Sequence, residues 1–285
     1  IFEAENKAAL AKGIFEDQVK KAAVHRQHMM SILEGQMELL KNFSEILKNK
    51  RGRQHDYLVR HGEATHHTEH LQGGWTDSEL TAAGKVQLQA VASKLAKDFA
   101  GQSRDLRILT SDLKRAEESA RIIAARLGIS KLEPYEFLRE KNNGQAAGLT
   151  ETAAKALYQQ PPTLKELHHR NYPGGETRQE FYDRNVQGLI KCADLERENL
   201  LIVAHKGTIQ NIIFHWLGLD KLPQRFKIFS VDILPSSVTV LGINKWREHA
   251  VFRLNDTSHL HTDSGYGIFE FKYGKTIDYN LYNGV

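Results

Sequence analysis

Short apolar segments alternate with amphipathic ones from about residue 55 onward, and this alternation constrains the fold more than any other feature of the sequence. Runs rich in β-branched and aromatic residues predict strands at 57–59, 106–109, 135–138, 200–204, 238–243, 249–254 and 267–273. Apolar residues with a helical spacing predict helices at about 81–95, 113–127, 177–195 and 208–217. We therefore expect an α/β fold with a mostly parallel sheet and helices on both of its faces.

The first predicted strand ends in a charged pair. Arg60 and His61 follow its apolar residues directly, and Gly62 and Glu63 come next. In open α/β sheets, ligands bind outside the carboxyl ends of the strands. Arg60 offers a planar fork that suits phosphate or carboxylate, and His61 titrates near neutrality and can act as a nucleophile. Taken alone, the pair has an equally good interpretation as surface residues that form ion pairs.

Two further strand ends also deliver basic residues. Arg115 lies about one turn into the helix that follows the strand at 106–109, and His205 directly follows the strand at 200–204. The residues after His205 open a helix whose free amides and dipole favour an anion. Together with the first strand end, these groups make a pocket for a phosphoryl group, whose charge they neutralise without a metal ion.

Six motifs occur in one order between about residues 57 and 207. They are Leu58 to Glu63, Gly74 to Asp77 with Leu80, Thr81 and Gly84, Ser111 to Ala116, Leu138 to Glu140 with Gly144 and Gly148, Pro173 to Thr177, and Val203 to His205. On these residues the chain resembles the histidine phosphatase superfamily, in its phosphoglycerate mutase-like branch. The resemblance implies the phosphoglycerate mutase-like form of the α/β fold, and we assign residues 55–285 to the phosphatase domain.

The resemblance also implies catalytic roles for five residues. His61 is expected to be the nucleophile that takes the phosphoryl group, and Glu140 the acid that protonates the leaving oxygen. Arg60, Arg115 and His205 are expected to hold the phosphate. An acid is chemically reasonable because an alkoxide leaves poorly unless it is protonated as its bond breaks. The resemblance implies no cofactor.

Two activities and one role outside catalysis are compatible with these motifs. The Gly74 to Asp77 element is typical of mutases, whereas the Leu138 to Gly148 region and the Pro173 to Thr177 turn are more typical of phosphatases. We therefore expect a metal-independent phosphomonoesterase that acts on a small phosphorylated substrate through a phosphohistidine. A phosphoglycerate mutase is one alternative, and an interaction protein that acts mainly through an N-terminal helical arm is another.

Three positions depart from the family pattern. Ala64 stands where a small hydroxyl residue is common, His67 where an asparagine often helps to bind phosphate, and Lys206 where glycine is usual. We expect His67 and Lys206 to be additional substrate-binding residues. The alternatives are a solvated loop histidine and a lysine that points to water.

The histidines that follow the first strand raise the question of a metal site. His66 and His70 are four residues apart, and His67 lies between them. No helix is predicted there, and Glu69 is not placed as in a zinc-protease motif. We therefore expect no metal site.

Residues 1–54 form a segment with its own pattern. From Phe15 to Leu47 a 3–4 spacing of mostly apolar residues continues for more than four heptads, with Arg26 and Gln36 as polar interruptions. A helix of that length would extend roughly 50 Å at about 1.5 Å per residue, which is too far for one small core to cover. We predict a helical arm of coiled-coil character, followed by a basic linker at 48–53.

Through residues 15–47 this arm is expected to bind a second copy of the chain or another protein. The alternative is an amphipathic helix, or two helices broken at Gly13 or Gly35, that packs on the main domain. Because the sequence begins at Ile1 rather than at methionine, we expect a trimmed chain or a fragment of a longer one.

Composition limits the class of protein and the class of partner. Hydrophobic residues make up 40% and charged residues 26% of the chain, as is ordinary for a globular protein. No apolar run approaches the roughly 20 residues that a membrane helix needs. The single cysteine, Cys192, permits no disulfide within the chain, which fits a cytoplasmic location. The net charge of +4 comes from basic residues interspersed with acidic ones, so we expect a small anionic substrate and neither nucleic acid nor membrane as partner.

Overall fold

The computed structural model of the chain describes residues 12, 13, 15, 18–21, 23–38, 55–99, 106–163, 166–221 and 230–260. The chain divides into two compact units, Ile1–Arg53 and Gln54–Val285. The predicted strand at 267–273 and the predicted basic linker at 48–53 lie outside the described residues. The assignment of these units to an arm and a phosphatase domain stays a prediction.

A six-stranded sheet forms the centre of the second unit. Its strands, in the order β3-β2-β4-β1-β5-β6, are β1 (His55–Arg60), β2 (Leu106–Ser111), β3 (Glu133–Tyr135), β4 (Asn199–Ala204), β5 (Val238–Ile243) and β6 (His249–Asp256). The pairs β2·β3, β2·β4 and β1·β4 are parallel, whereas β5 pairs antiparallel with both β1 and β6. The α/β fold with a mostly parallel sheet is confirmed.

The register of the three central strands aligns their carboxyl ends. Val203 in β4 lies opposite Val59 in β1 and also opposite Thr110 in β2. The residues that follow these strands therefore leave the sheet at the same level, which is the condition for their side chains to meet at one edge.

Helices cover both faces of the sheet. They are α1 (Thr65–Thr68), α2 (Ala82–Phe99), α3 (Lys114–Leu127), α4 (Glu151–Leu157), α5 (Arg178–Cys192) and α6 (Lys206–Trp216). Val59 belongs to the buried cluster that α2 and α3 form on one face, while its neighbour Leu58 belongs to the cluster of α5 and α6 on the other. Both side chains are fully buried, and each such burial contributes about 1.5–3 kcal/mol.

The predicted strand at 135–138 is partly wrong. The strand β3 ends at Tyr135, and Glu136–Leu138 form a 3₁₀ turn in which Arg139 N donates to Glu136 O at 3.0 Å. The turn directs Leu138 into the cluster under α5 and α6, where it is fully buried. The helices α1 and α4 were not predicted, because segments of four and seven residues show too little periodicity.

Ion pairs fasten the opposite, amino-terminal edge of the sheet. Arg107 in β2 donates to both carboxylate oxygens of Glu133 in β3, at 3.1 and 2.8 Å. The same guanidinium pairs with Glu198, the residue before β4. We call these three residues the Arg107 clip, because they join three neighbouring strands at the edge remote from Arg60 and His205.

The predicted N-terminal helix is present in the first unit. Residues 18–21 and 23–38 are helical, so the suggested break at Gly35 is wrong. The apolar side chains at heptad positions are exposed, with values of 67, 51, 47 and 49% at Phe15, Val19, Met29 and Leu33. Heptad positions after residue 38 lie outside the described residues. Among the helices that the structure describes, none combines the length and apolar character needed to cross a bilayer.

Candidate active site

The carboxyl ends of four parallel strands meet at one edge of the sheet, and each is followed by a predicted site residue. His61 follows β1, Arg115 lies in the first turn of α3 after β2, Glu140 follows β3 and its 3₁₀ turn, and His205 follows β4. The His61 amide donates to Ala204 O at 3.0 Å, and the two histidine rings lie 5.1 Å apart between centroids. The fold therefore brings together residues from distant parts of the sequence.

The two ring nitrogens of His61 have different partners. Nδ1 lies 2.7 Å from Gly62 O, so we assign the proton to Nδ1 and the lone pair to Nε2. Arg115 Nε donates to Nε2 at 3.3 Å. Burial, followed by the charges of Arg115 and His205, holds the pKa of His61 well below 6.5. The imidazole is therefore neutral at pH 7, as a nucleophile must be.

Arg60 and Arg115 bring two fixed positive charges to this pocket. Arg60 Nη1 donates to Ile233 O at 2.6 Å, and Arg115 Nη2 donates to Gly74 O at 2.7 Å. Burial lowers the pKa of each guanidinium to about 10, so both stay charged near neutrality. In the part of the chain that the structure describes, neither forms an ion pair with a carboxylate within 4.0 Å. The pocket consequently favours an anion.

The ring of His205 gives the strongest indication of what this pocket binds. His205 is 1% exposed, and neither ring nitrogen has a hydrogen-bond partner among the described residues. The same holds for Arg60 Nε. A buried polar group without a partner costs about 1–3 kcal/mol, and the oxygens of a phosphoryl group would supply the missing acceptors.

Glu140 is held at both its backbone and its side chain. Its carboxylate accepts from two backbone amides, Lys141 N at 2.9 Å and Gly207 N at 3.0 Å. Its carbonyl oxygen accepts from Trp75 Nε1 at 2.8 Å and from Arg184 Nη2 at 3.0 Å. These four donors fix the position of the predicted acid relative to α6, the helix that begins beside His205.

Arg184 was not predicted from the sequence to be a residue of this site. It forms two hydrogen bonds with Glu176, at 2.7 and 2.9 Å, and also donates to the carbonyl oxygens of residues 136, 137 and 139. Backbone carbonyls leave no residue signature, so these partners could not be foreseen. The available signal was a charged residue at the border of the buried face of α5, between Phe181 and Asn185.

His67 lies beside Arg60 and His61, and its role in substrate binding stays a prediction. Its Nε2 lies 3.0 Å from Arg60 Nη2, and its ring stacks on that of His61 with centroids 5.6 Å apart. Its Nδ1 accepts from the amide of Ala64, the residue that precedes α1. Burial and the nearby His66 lower the pKa of His67 to about 2. The geometry therefore places His67 against Arg60, which is predicted to hold the phosphate.

The histidines that lie together in the structure are not the pair that the sequence suggested as metal ligands. Ring nitrogens of His61, His66 and His67 lie within 4.8 Å of one another, whereas His70 is exposed. His66 Nδ1 lies 2.7 Å from Ser78 Oγ. The guanidinium groups of Arg60 and Arg115 border this cluster and oppose a cation there. That no metal binds stays a prediction.

The side chain of Lys206, a predicted substrate-binding residue, is already paired with a carboxylate. Lys206 begins α6, and its ammonium group forms an ion pair with Asp232, with both side chains about half exposed. Its role in substrate binding stays a prediction.

Residues 57–257 match the sequence model of the histidine phosphatase superfamily, branch 1. The chain belongs to the histidine phosphatase superfamily. The matched range begins inside β1 and ends just after β6, so it contains every predicted site residue of this histidine phosphatase. Residues 1–56 lie outside the match.

Named relatives include both a mutase-like protein and a phosphatase. Phosphoglycerate mutase-like protein 4 of Arabidopsis thaliana is 30% identical over 220 residues, which is 74% of this chain and 90% of that protein. The metal-independent phosphoserine phosphatase of the same plant is 28% identical over 207 residues, or 71% and 82% of the two chains. The alpha-ribazole phosphatase of Shigella flexneri shares the fold, with a TM-score of 0.57, 21% identity and coverage of 71% and 96%. The predicted enzyme class, a phosphoric monoester hydrolase, is confirmed.

Proposed function

We propose that this histidine phosphatase is a metal-independent phosphomonoesterase that hydrolyses a small phosphorylated substrate through a phosphohistidine at His61. The observation that carries the proposal is the position of His61 Nε2 among three phosphate-holding groups, Arg60, Arg115 and His205, of which His205 has no hydrogen-bond partner in the described residues. Such a pocket binds a phosphoryl group and places a neutral nucleophile beside it.

The first step transfers the phosphoryl group to the enzyme. His61 Nε2 attacks phosphorus in line, the bond between nitrogen and phosphorus forms, and the bond from phosphorus to the leaving oxygen breaks. Glu140 gives its proton to the leaving oxygen, which departs as an alcohol. Arg60 and Arg115 offset the charge on the remaining phosphoryl oxygens, and the N–H of His205 donates a hydrogen bond to one of them.

The second step releases phosphate. Glu140, now a carboxylate, takes a proton from a water molecule that attacks phosphorus. The bond between His61 Nε2 and phosphorus breaks, so the ring regains its lone pair and inorganic phosphate leaves. The sum is one phosphomonoester plus one water giving one alcohol plus phosphate.

Two further residues complete the proposed binding site. His67 supports the phosphate through Arg60 Nη2, 3.0 Å away. Lys206 binds an anionic substrate only if the substrate displaces Asp232 from its ammonium group. The proposal also includes a cytoplasmic location and no nucleic-acid or membrane partner.

The first prediction tests the nucleophile. The protein should hydrolyse 4-nitrophenyl phosphate in the presence of a chelator, and His61→Ala should lose at least 1,000-fold in kcat, because the variant lacks the atom that accepts the phosphoryl group, and removing a nucleophile costs on the order of 10³ or more. A rapid-quench experiment should find a phosphorylated peptide that contains residue 61. His70→Asn is the matched control, since His70 is exposed, its φ of 54° suits asparagine, and the change should leave the rate unchanged. Full activity in the His61 variant would contradict the mechanism.

A phosphoglycerate mutase is the second candidate, and the mutase-like relative favours it. A mutase passes the phosphoryl group from histidine to a bound sugar acid instead of to water. This activity would appear as interconversion of 2- and 3-phosphoglycerate that depends on a bisphosphate primer. Hydrolysis without primer dependence would reject it.

We further propose that the N-terminal helix joins two copies of the chain. Four apolar side chains at heptad positions, Phe15, Val19, Met29 and Leu33, are each 47–67% exposed within the chain. A stripe with a 3.5-residue period packs well against an identical stripe, which makes a second copy the simplest partner.

The second prediction tests this pairing. Light scattering should find a dimer for the whole chain at micromolar concentration, and Met29→Lys with Leu33→Lys should give a monomer. The matched control is Lys20→Ala with Lys21→Ala, which leaves the apolar stripe intact. A monomer at every concentration would reject self-association and leave another protein as the partner of the helix.

A further inference from the structure

Two basic residues near Glu140, Lys141 and Arg178, form no ion pair among the described residues. Lys141 is partly buried, and within the same residues its Nζ donates a hydrogen bond only to Asn171 Oδ1, at 3.2 Å. Arg178, the first residue of α5, is also partly buried, and among the described residues its side chain makes neither a hydrogen bond nor an ion pair. Basic side chains in partly buried positions are normally paired, so this arrangement requires an explanation.

The two charges act on each other. Burial lowers the pKa of Lys141 to about 8, and the next largest cause is the positive charge of Arg178. Burial also lowers the pKa of Arg178. Two cations that repel each other in a half-buried place form a site that an anion would stabilise.

The acidic residues nearby are already engaged. Glu176 accepts two hydrogen bonds from Arg184, which offset its charge. Glu140 accepts hydrogen bonds from two backbone amides. The charges of Glu176 and Glu140 raise the pKa of Lys141. Burial and the charge of Arg178 together lower this pKa by more, so an excess of positive charge remains at this place.

Hydrogen bonds hold the backbone around Lys141 and Arg178 next to Glu140. Lys141 N donates to Glu140 Oε1 at 2.9 Å, so Lys141 adjoins the group that meets the leaving oxygen. Asn142 N donates to Glu176 Oε2 at 2.8 Å, and Glu176 N donates to Asn142 O at 2.9 Å. This double link ties the residues after Glu140 to the residues before α5, which holds Lys141 and Arg178 in place.

We infer that Lys141 and Arg178 form a second anion subsite on the leaving-group side of Glu140, and that the substrate is a phosphomonoester whose leaving group carries its own anionic group. This inference rests on the proposed function. The anionic group is a carboxylate or a second phosphate, since both present oxygens that accept charge-assisted hydrogen bonds. A neutral leaving group would leave the two cations unpaired.

Matched substrate pairs test the subsite. 3-Phosphoglycerate and glycerol 3-phosphate share a three-carbon chain and differ by the carboxylate, while fructose 1,6-bisphosphate and fructose 6-phosphate differ by the second phosphate. The wild-type kcat/KM should be at least tenfold higher for the anionic member of one pair, and the pair identifies the anion. That ratio should fall at least tenfold in Lys141→Met and in Arg178→Met, and Lys141→Arg should retain it.

Lys155→Met is the matched control, because Lys155 is exposed on α4 and should leave the ratio unchanged. If both members of a pair lose activity equally in the Lys141 and Arg178 variants, the subsite is wrong and the two residues are structural. A wild-type ratio near one for both pairs also rejects it.

A binding measurement separates this inference from the proposed function. If the wild-type protein hydrolyses no phosphomonoester, including 4-nitrophenyl phosphate, the proposed function fails. Calorimetry with 3-phosphoglycerate, glycerol 3-phosphate and the two fructose phosphates then decides on the subsite alone. Preferential binding of an anionic member that Lys141→Met removes supports the subsite, and equal binding of both members in both proteins overturns it.

Discussion

At the scale of single residues, the site combines the proposed nucleophile with a proposed acid that four donors hold in place. His61 Nδ1 lies against Gly62 O, which leaves Nε2 as the atom proposed to attack phosphorus, whereas Glu140 receives hydrogen bonds at its carbonyl oxygen and at both carboxylate oxygens. Arg139 reinforces this arrangement, since its guanidinium binds Asp112 and lies 4.7 Å over the ring of Trp75. Such support keeps an acid at a fixed distance from the leaving oxygen.

The third prediction concerns the acid. Glu140→Gln should lower kcat for an alkyl phosphate by about 10²–10⁴. The loss should be far smaller for 4-nitrophenyl phosphate, because nitrophenolate leaves without a proton. Steady-state kinetics with both substrates measures the difference. Glu151→Gln is the control, since Glu151 is exposed at the start of α4, and equal losses on the two substrates would show that Glu140 does not protonate the leaving group.

At the scale of elements, two helices approach the site so closely that only glycine fits. A Cβ on Gly207, the second residue of α6, would lie 2.4 Å from Glu140 Oε1. A Cβ on Gly84 in α2 would lie 2.1 Å from the backbone oxygen of Glu63. The first obstacle is a movable side chain and the second is the backbone, so the two substitutions should fail in different ways.

The fourth prediction follows from this contrast. Gly207→Ala should displace the acid and lower kcat for alkyl phosphates at least tenfold, while lowering the free energy of unfolding by about 1–3 kcal/mol. Gly84→Ala should cost more stability, because the loop after β1 must move. Urea denaturation and kinetics measure both effects. Val86→Ala, at an exposed position of α2, should change neither, and a Gly207 variant with wild-type kcat would contradict the prediction.

The sequence predicted the elements with strong periodicity and the residues with distinctive chemistry. The strand before Arg60, the strand before His205 and the helix of Arg115 were expected close to their observed bounds, because burial fixes their patterns. The structure places these three residues near His61 and Glu140, and their catalytic roles stay predictions. The helical character of the N-terminal segment was also predicted, because its apolar residues repeat with a heptad spacing.

The remainder depended on contacts that no local pattern records. The helix α1 begins after Ala64, which has no hydroxyl group to mark a helix start. Arg184 reaches carbonyl oxygens more than 40 residues away in sequence, and Lys206 pairs with Asp232 across 26 residues. The half-buried pair of Lys141 and Arg178 likewise becomes visible only when the loop after Glu140 is seen against α5.

At the scale of the whole molecule, buried histidines make the free energy of unfolding depend on pH. Burial is the largest cause that lowers the pKa of each of His61, His66, His67 and His205 below 6.5. These rings are neutral in the folded state and take protons in the unfolded state once the pH is below 6.5, so they contribute stability that is lost as the pH falls. Asp56 acts in the opposite sense, since burial raises its pKa to about 8.

The fifth prediction is the resulting acid sensitivity. The free energy of unfolding should fall on the order of 3 kcal/mol per pH unit between about pH 6 and 4.5, allowing for the partial exposure of His67 and for Asp56. His67→Asn removes one of these four histidines and should reduce the slope by up to about 1.4 kcal/mol per pH unit, which corresponds to one proton. His70→Asn is the control, because His70 is exposed and its φ of 54° suits asparagine. A flat profile over this range would contradict the account.

The Arg107 clip affects which parts of this enzyme can change during evolution. It fastens β2, β3 and the approach to β4 at the edge where no substrate is proposed to bind. Mutations that reshape the loops at the other edge, including the residues around Lys141, therefore leave this fastening untouched. Selection for a new substrate can act on one rim of the sheet while the other rim keeps the strands in register.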